Sequence, residues 1–199
     1  MRFLLIALAA PVALSACASP APPSAPHDAC AMFDQHPAWR RATLRAQDRW
    51  GAPPQLILAI MNQESGFDHD ARPARRGGFL FIPGRRPSSA FGYAQATNDT
   101  WARYARARGD SGVDRDEFAD AADFIAWYAR LSHDELGLAY RDAEAHYLAY
   151  HEGHGGYRRG TWRDKRWLRD VARRVQSRAD AYARQLDACD DGRRGFLPF

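Results

Sequence analysis

Residues 54–67 read PQLILAIMNQESGF, and this stretch decides the fold. Pro54 suits the first turn of a helix, where a missing N–H is not needed. Leu56, Ile57, Ala59, Ile60 and Met61 carry the helix on, and Gly66 breaks it. A segment this apolar has to be buried, and it delivers one carboxyl, Glu64, to its C-terminal end. The negative end of the helix dipole meets Glu64 there. Ile60, Met61 and Phe67 add desolvation. Both effects raise a carboxyl pKa and favour a proton-donating acid near neutral pH. Taken alone, the same pattern fits a solvated glutamate that closes a helix.

The sequence on either side is also helical. Ala38 to Trp50 carries Trp39, Leu44 and Trp50 among charges. Thr97 is placed to cap a helix running to Arg108 and stopped by Gly109. Glu117 to Leu131 spaces Phe118, Ala121, Ala122, Ile125 and Tyr128 at helical intervals. Ser132-His133-Asp134-Glu135 has the form of a capping box that opens a short helix. Asp142 to Tyr150 and Asp164 to Leu186 complete the set. No long alternating run predicts a strand. The exception is RRGGFLFIPGRR, residues 75–86, where Phe79-Leu80-Phe81-Ile82 lies between glycines and predicts a small hairpin or an apolar flap. The expected class is therefore all-α, with that one possible hairpin.

The chain has 199 residues, 46% hydrophobic and 26% charged, enough for one sizeable core plus extra sequence. No apolar run reaches eighteen residues, which excludes a multi-span membrane protein. The net charge is +4 and Lys165 is the only lysine, so the basic character is arginine. Such a balance does not choose among nucleic acid, anionic membrane and acidic polymer.

The N-terminus narrows the choice. Met1-Arg2 precedes an apolar stretch, Phe3 to Leu14, of signal-peptide length. Leu14-Ser15-Ala16-Cys17 resembles a bacterial lipobox, which implies a signal peptide over 1–16 and a lipid on Cys17. The alternative is an ordinary secretory signal. Either way the mature chain leaves the cytoplasm, and no nucleic-acid partner is expected. By resemblance to lipoprotein sorting rules, Ala18 rather than Asp after the Cys implies the periplasmic face of the outer membrane. Residues 17–29 follow as a Pro/Ala/Ser tether, 30–190 as the folded domain and 191–199 as a tail. With Cys17 lipidated, Cys30 and Cys189 remain as a pair at the two ends of the domain. An oxidising compartment predicts a disulfide between them, with two free thiols as the alternative.

Two further segments carry chemistry. Phe91-Gly92-Tyr93-Ala94-Gln95 precedes the helix capped by Thr97. Its glycine would let a ligand approach the backbone, and Gln95 offers a donor and an acceptor to a sugar amide or hydroxyl. A simple loop fits as well. Residues 146–157, HYLAYHEGHGGY, run an apolar helix into a glycine-rich turn. His146, His151, Glu152 and His154 could be tried as metal ligands. The spacing His-Glu-Gly-His is one residue short of the helical zinc motif, so no metal is expected.

Glu64-Ser65, then Gly92 to Gln95, then Ala149-Tyr150-His151-Glu152-Gly153, taken in order, resemble the soluble (SLT) lytic transglycosylases of the lysozyme-like superfamily. That family shows Glu-Ser at the end of an apolar helix, a Gly-x-x-Gln turn, and an Ala-Tyr-Asn-x-Gly segment. The resemblance spans 53–157 and implies a lysozyme-like helical domain acting on peptidoglycan glycan strands, as a monomer and without cofactor. Glu64 would be the single acid and base. Ser65, Gly92, Ala94, Gln95, Tyr150 and His151 would bind substrate, with Tyr150 orienting Glu64. His151 stands where the family usually has Asn, and the stretch between Glu64 and Gly92 is longer than usual. A second carboxylate from Asp68, Asp70 or Asp99 would instead make a lysozyme-type hydrolase. An inactive wall-binding lipoprotein is the remaining alternative.

Overall fold

The computed structural model describes residues 21–79 and 82–194. Cys17 and the segment expected to be a signal peptide lie outside the described residues. Helix α1 spans Ala29–Gln35, α2 Pro37–Trp50 and α3 Pro54–Ser65. A hairpin of β1 (Arg76–Phe79) and β2 (Ile82–Arg85) precedes α4 (Asn98–Arg108), α5 (Phe118–Leu136), α6 (Ala143–Arg159) and α7 (Arg166–Arg194). The class is all-α apart from this hairpin, as its sequence predicts.

Helix α3 forms the centre, packed by α2, α5, α6 and α7. Every residue from Leu56 to Met61 is buried, which is why this helix shows no polar face. Around it Trp39 stacks on Phe118 with ring centroids 4.1 Å apart, and Tyr93 meets both rings edge-on. Tyr93 belongs to the Gly92–Gln95 turn, so the turn is plugged into the core through its aromatic side chain. Burial of the ring anchors it.

One carboxylate in the core, Asp123 of α5, is held from three sides. It accepts from the Tyr104 hydroxyl at 2.8 Å, Arg108 at 2.9 Å and Arg49 at 3.3 Å. A buried charge persists only when paired and hydrogen-bonded in this way. The cluster ties α2 and α4 to α5 and fixes the helix that follows the turn.

Several elements differ from the sequence expectation. Helix α1 was not foreseen. It is short, and Asp28 caps it by accepting from the Ala31 N–H. The capping box at Ser132 does not start a helix, since α5 runs through it to Leu136. Ser132 is buried, and its hydroxyl donates to the Tyr128 carbonyl one turn back, a bond available to a serine inside a helix. The glycine-rich turn after Tyr150 is a kink, not an end: helical structure resumes after Gly153, whose φ of 71° is left-handed. The end of the tether is also docked. The Pro26 carbonyl accepts from Asn62 and Tyr182, and the His27 carbonyl accepts from Gln185. The strands of the hairpin pair only with each other among the described elements, with Arg76 opposite Arg85.

Cys30 and Cys189 form the expected disulfide, with Cα atoms 6.2 Å apart, joining the start of α1 to the far end of α7.

Candidate active site

Glu64 sits in the last turn of α3, and Gly66 closes the helix in the left-handed conformation. Burial pushes the Glu64 carboxyl up to about 7, while a hydrogen bond from the Tyr147 hydroxyl pulls the other way. No other carboxylate contributes to that shift. Part of the Glu64 surface stays open to solvent, so the group is desolvated yet reachable. A carboxyl with a pKa near 7 can hold a proton and give it up in the same pH range.

Tyr147 of α6, rather than Tyr150, is the direct partner of Glu64. The Tyr150 hydroxyl donates to the Ala94 carbonyl at 2.6 Å. Tyr150 is still close enough for the Glu64 charge to help raise its own pKa, after burial. The two tyrosines are three residues apart on one helix and share a face. That spacing was the available signal for Tyr147, but it lies outside the Ala-Tyr-His-Glu-Gly motif.

The turn before α4 is held by its own backbone. Gly92 has φ 75°, and a Cβ there would meet the Arg115 carbonyl oxygen at 2.1 Å. The close approach that requires glycine is thus by this chain and not by a ligand. Gln95 also lies in the left-handed region, at φ 48°, which is strained for a side chain with a Cβ. Its amide nitrogen donates to the Ala71 carbonyl at 2.8 Å and the Gly92 carbonyl at 2.9 Å. These bonds orient the side-chain carbonyl of Gln95, the remaining acceptor. Ser65 is engaged locally: its hydroxyl donates to the Met61 carbonyl and accepts from the Phe67 N–H. It shapes the end of α3 that carries Glu64.

A cavity of about 220 Å³ lies against this turn. Gln95, Thr97, Thr100, Tyr128, Tyr150 and His151 line it, with Glu152 and Gly153 at the kink. His151 is exposed at its edge. Its Nδ1 lies 3.0 Å from Glu152, and its ring meets that of Trp167 edge-on at 5.3 Å. A cavity of similar size between α1, α2 and the end of α7 lies near Leu44 and Leu186 and contains none of these residues.

Glu152 has a structural role that the sequence did not reveal. Its side chain is only 5% exposed. Lys165 reaches both carboxylate oxygens at 2.8 Å, and Thr161 donates to one of them. Burial alone would raise this carboxyl, but the bonds from Lys165, Thr161 and His151 and the Lys165 charge outweigh it and hold it at about 2. The only lysine of the chain thus fastens the segment after α6 to the kink at Gly153.

The other candidate ligands do not converge. His146 is buried and stacks on Tyr140, and burial lowers its pKa to about 4. His154 contacts Ser132 at 2.9 Å and Glu135 at 3.4 Å. Among the described residues, no three His, Cys, Asp or Glu side chains form a group able to hold a metal ion. Asp70 and Asp99 are exposed, and Asp68 accepts from the Asp70 N–H at 3.2 Å.

The sequence profile of the transglycosylase SLT domain family matches residues 5–189. Among curated proteins, none matches the chain.

Proposed function

The chain belongs to the transglycosylase SLT domain family, and from that membership we propose that it cleaves the β-1,4 bond between N-acetylmuramic acid and N-acetylglucosamine, with Glu64 as the single acid and base. The family supports lytic transglycosylase action on peptidoglycan. The single observation that carries the finer reading is Glu64 itself. It is a buried carboxyl raised to about 7, held by Tyr147, with no second carboxylate acting on it. A two-carboxylate glycosidase would place its partner roughly 5–9.5 Å away.

Protonated Glu64 gives its proton to the glycosidic oxygen. The bond from that oxygen to C1 of the muramic sugar breaks, and N-acetylglucosamine leaves with a free 4-hydroxyl. The acetamido group of the muramic sugar stabilises the electron-poor C1. Ionised Glu64 then takes the proton from that sugar's C6 hydroxyl, and O6 bonds to C1. The products are a 1,6-anhydro end and a regenerated acid, without water. Burial keeps the pKa high enough for the first step, and Tyr147 keeps the ion stable enough for the second. Gln95 and Tyr150 would contact the sugar from the cavity wall. Exposed His151 would replace the usual Asn as a contact, while Gly92, Ala94 and Ser65 would act by holding the backbone around the site. Lipid on Cys17 would tether this monomeric domain to the periplasmic face of the outer membrane.

The test is digestion of purified sacculi and mass analysis of the released fragments. Anhydro ends are the expected product. Reducing ends would indicate a hydrolase, and no release from a folded protein would indicate a binding lipoprotein. Glu64→Gln should lower the rate by about 10²–10⁴, because Gln is nearly isosteric but cannot serve as an acid. Activity near wild type in that variant would overturn the assignment. Excess chelator should leave the rate unchanged.

A further inference from the structure

Two arginines on one face of α7, Arg174 and Arg178, border a third cavity beside the end of α3. The cavity measures about 180 Å³ and is lined by Ala59, Asn62, Gln63, Arg174, Val175 and Arg178. Asn62 and Gln63 immediately precede Glu64 in α3. Ala59 and Val175 are buried and form the apolar part of its wall. The Arg174 charge favours the ionised form of Tyr147, so this arginine lies towards α6. Arg178 lies over the Tyr182 ring at 5.7 Å, which steadies its stem. Asn62 and Tyr182 both bind the Pro26 carbonyl, so the docked end of the tether closes one flank.

No carboxylate of the described residues is ion-paired with either arginine. The two acids of α7 nearest in sequence have other partners: Asp170 pairs with Arg173 and Asp180 accepts from Gln176. The cavity therefore brings together two cations and two side-chain amides, donors suited to a carboxylate. It lies on the α7 side of the last turn of α3, the turn that also carries Glu64, the group proposed to act on the muramic sugar, which is the sugar that carries acidic substituents.

We infer that the cavity between Asn62–Gln63 and Arg174–Arg178 is a subsite for carboxylates of the peptide borne on the lactyl arm of the muramic sugar. This rests on the reading of the chain as a peptidoglycan enzyme. The sugar backbone would occupy the groove at Gln95, Tyr150 and His151, while the acidic peptide would run along α7. Strands with ionised peptides would then be held better than neutral ones.

The test measures binding separately from turnover. Full-length chain with Glu64→Gln, which cannot cleave, is co-sedimented with native sacculi. The same is done with sacculi whose carboxylates are converted to carboxamides by carbodiimide and ammonia. The expected apparent Kd rises about tenfold on the neutralised wall, as loss of charge-assisted bonds implies. Adding Arg174→Gln and Arg178→Gln should remove that difference. Removing the same charge at Arg41 and Arg45, exposed on α2, should keep it. Discrimination that survives in the Arg174/Arg178 variant, or that falls equally in the Arg41/Arg45 control, overturns the subsite. Lysis assays on chains with Glu64 intact separate the two readings. Lysis without discrimination would sink the subsite alone. Discrimination without lysis would sink the proposed reaction and leave the subsite standing.

Discussion

At the scale of single residues, the Glu64 carboxyl and the Gly92 turn carry the strongest consequences. The Glu64 pKa is raised from 4.5 to about 7 by burial. Its contribution to stability is therefore fully present below about 4.5 and is lost as pH rises through about 7. Glu64→Gln removes the buried ion, so the variant should match wild type near pH 4. Near pH 8 it should be more stable by up to roughly 3 kcal/mol. Thermal melts across that range check this, and a pH-independent difference would contradict it. Tyr147 acts in the opposite direction by favouring the ion. Tyr147→Phe should raise the Glu64 pKa and move the alkaline limb of the rate profile to higher pH. The maximal rate should fall about tenfold as the acid loses its orienting partner. A reduced rate with an unmoved limb would mean that Tyr147 matters for packing only. At Gly92, alanine would need a left-handed backbone and would drive its Cβ into the Arg115 carbonyl. Gly92→Ala should cost at least about 2 kcal/mol and displace Gln95 with the turn. Urea unfolding measures the loss.

At the scale of elements, α6 and its kink show what the sequence could and could not disclose. The three motif segments meet in space, because Tyr150 of α6 donates to Ala94 of the turn and Tyr147 reaches Glu64 of α3. Spacing and chemistry made the segments legible, since each sits at the end or start of a helix where periodicity breaks. The partners inside the site were less legible. Hydrogen-bond choice between Tyr147 and Tyr150 depends on the rotation of α6 against α3, which no local pattern encodes. Ser132 misled for a related reason: its capping-box neighbours are common on a helix surface, and burial of its hydroxyl against Tyr128 kept α5 continuous. Glu152 read as a possible metal ligand because its cation lies thirteen residues away. The pair now has a testable role. The Glu152 pKa is depressed to about 2, so its stabilisation is present above about 4.5 and is lost as pH falls towards 2. Lys165→Met leaves a carboxylate with 5% side-chain exposure short of its cation. The expected loss at pH 7 is about 1–3 kcal/mol, because Lys165 itself is partly exposed. That loss should shrink below pH 4, and a loss unchanged by pH would show that the lysine acts through its stem alone.

At the scale of the whole molecule, the two ends of the domain are fastened to each other and to the helix that bears Glu64. The all-α class and the pairing of Cys30 with Cys189 were both legible, from helical periodicity and from the placement of these two cysteines at the two ends of the helical region. Docking of the tether end was not, because Pro, Ala and Ser give no periodic signal and the contacts are made through backbone carbonyls. Those carbonyls, at Pro26 and His27, accept from Asn62 on α3 and from Tyr182 and Gln185 on α7. The disulfide closes a loop of 159 residues that begins just after them, at Cys30. By the chain-entropy relation such a bridge stabilises a fold by up to roughly 5 kcal/mol, with smaller values common in practice. Replacing both cysteines with serine should therefore lower Tm by several degrees and loosen first the end of α7 and the tether. It should not abolish lysis at a temperature where the variant stays folded, since the bridge touches none of the residues around Glu64. Hydrogen exchange separates the two effects. Faster exchange confined to α1 and the last turns of α7, with the rest of α3 protected, is the expected pattern. Faster exchange in the last turn of α3, together with lost activity, would mean that the covalent closure is needed to hold Asn62 and the Glu64 carboxyl in place.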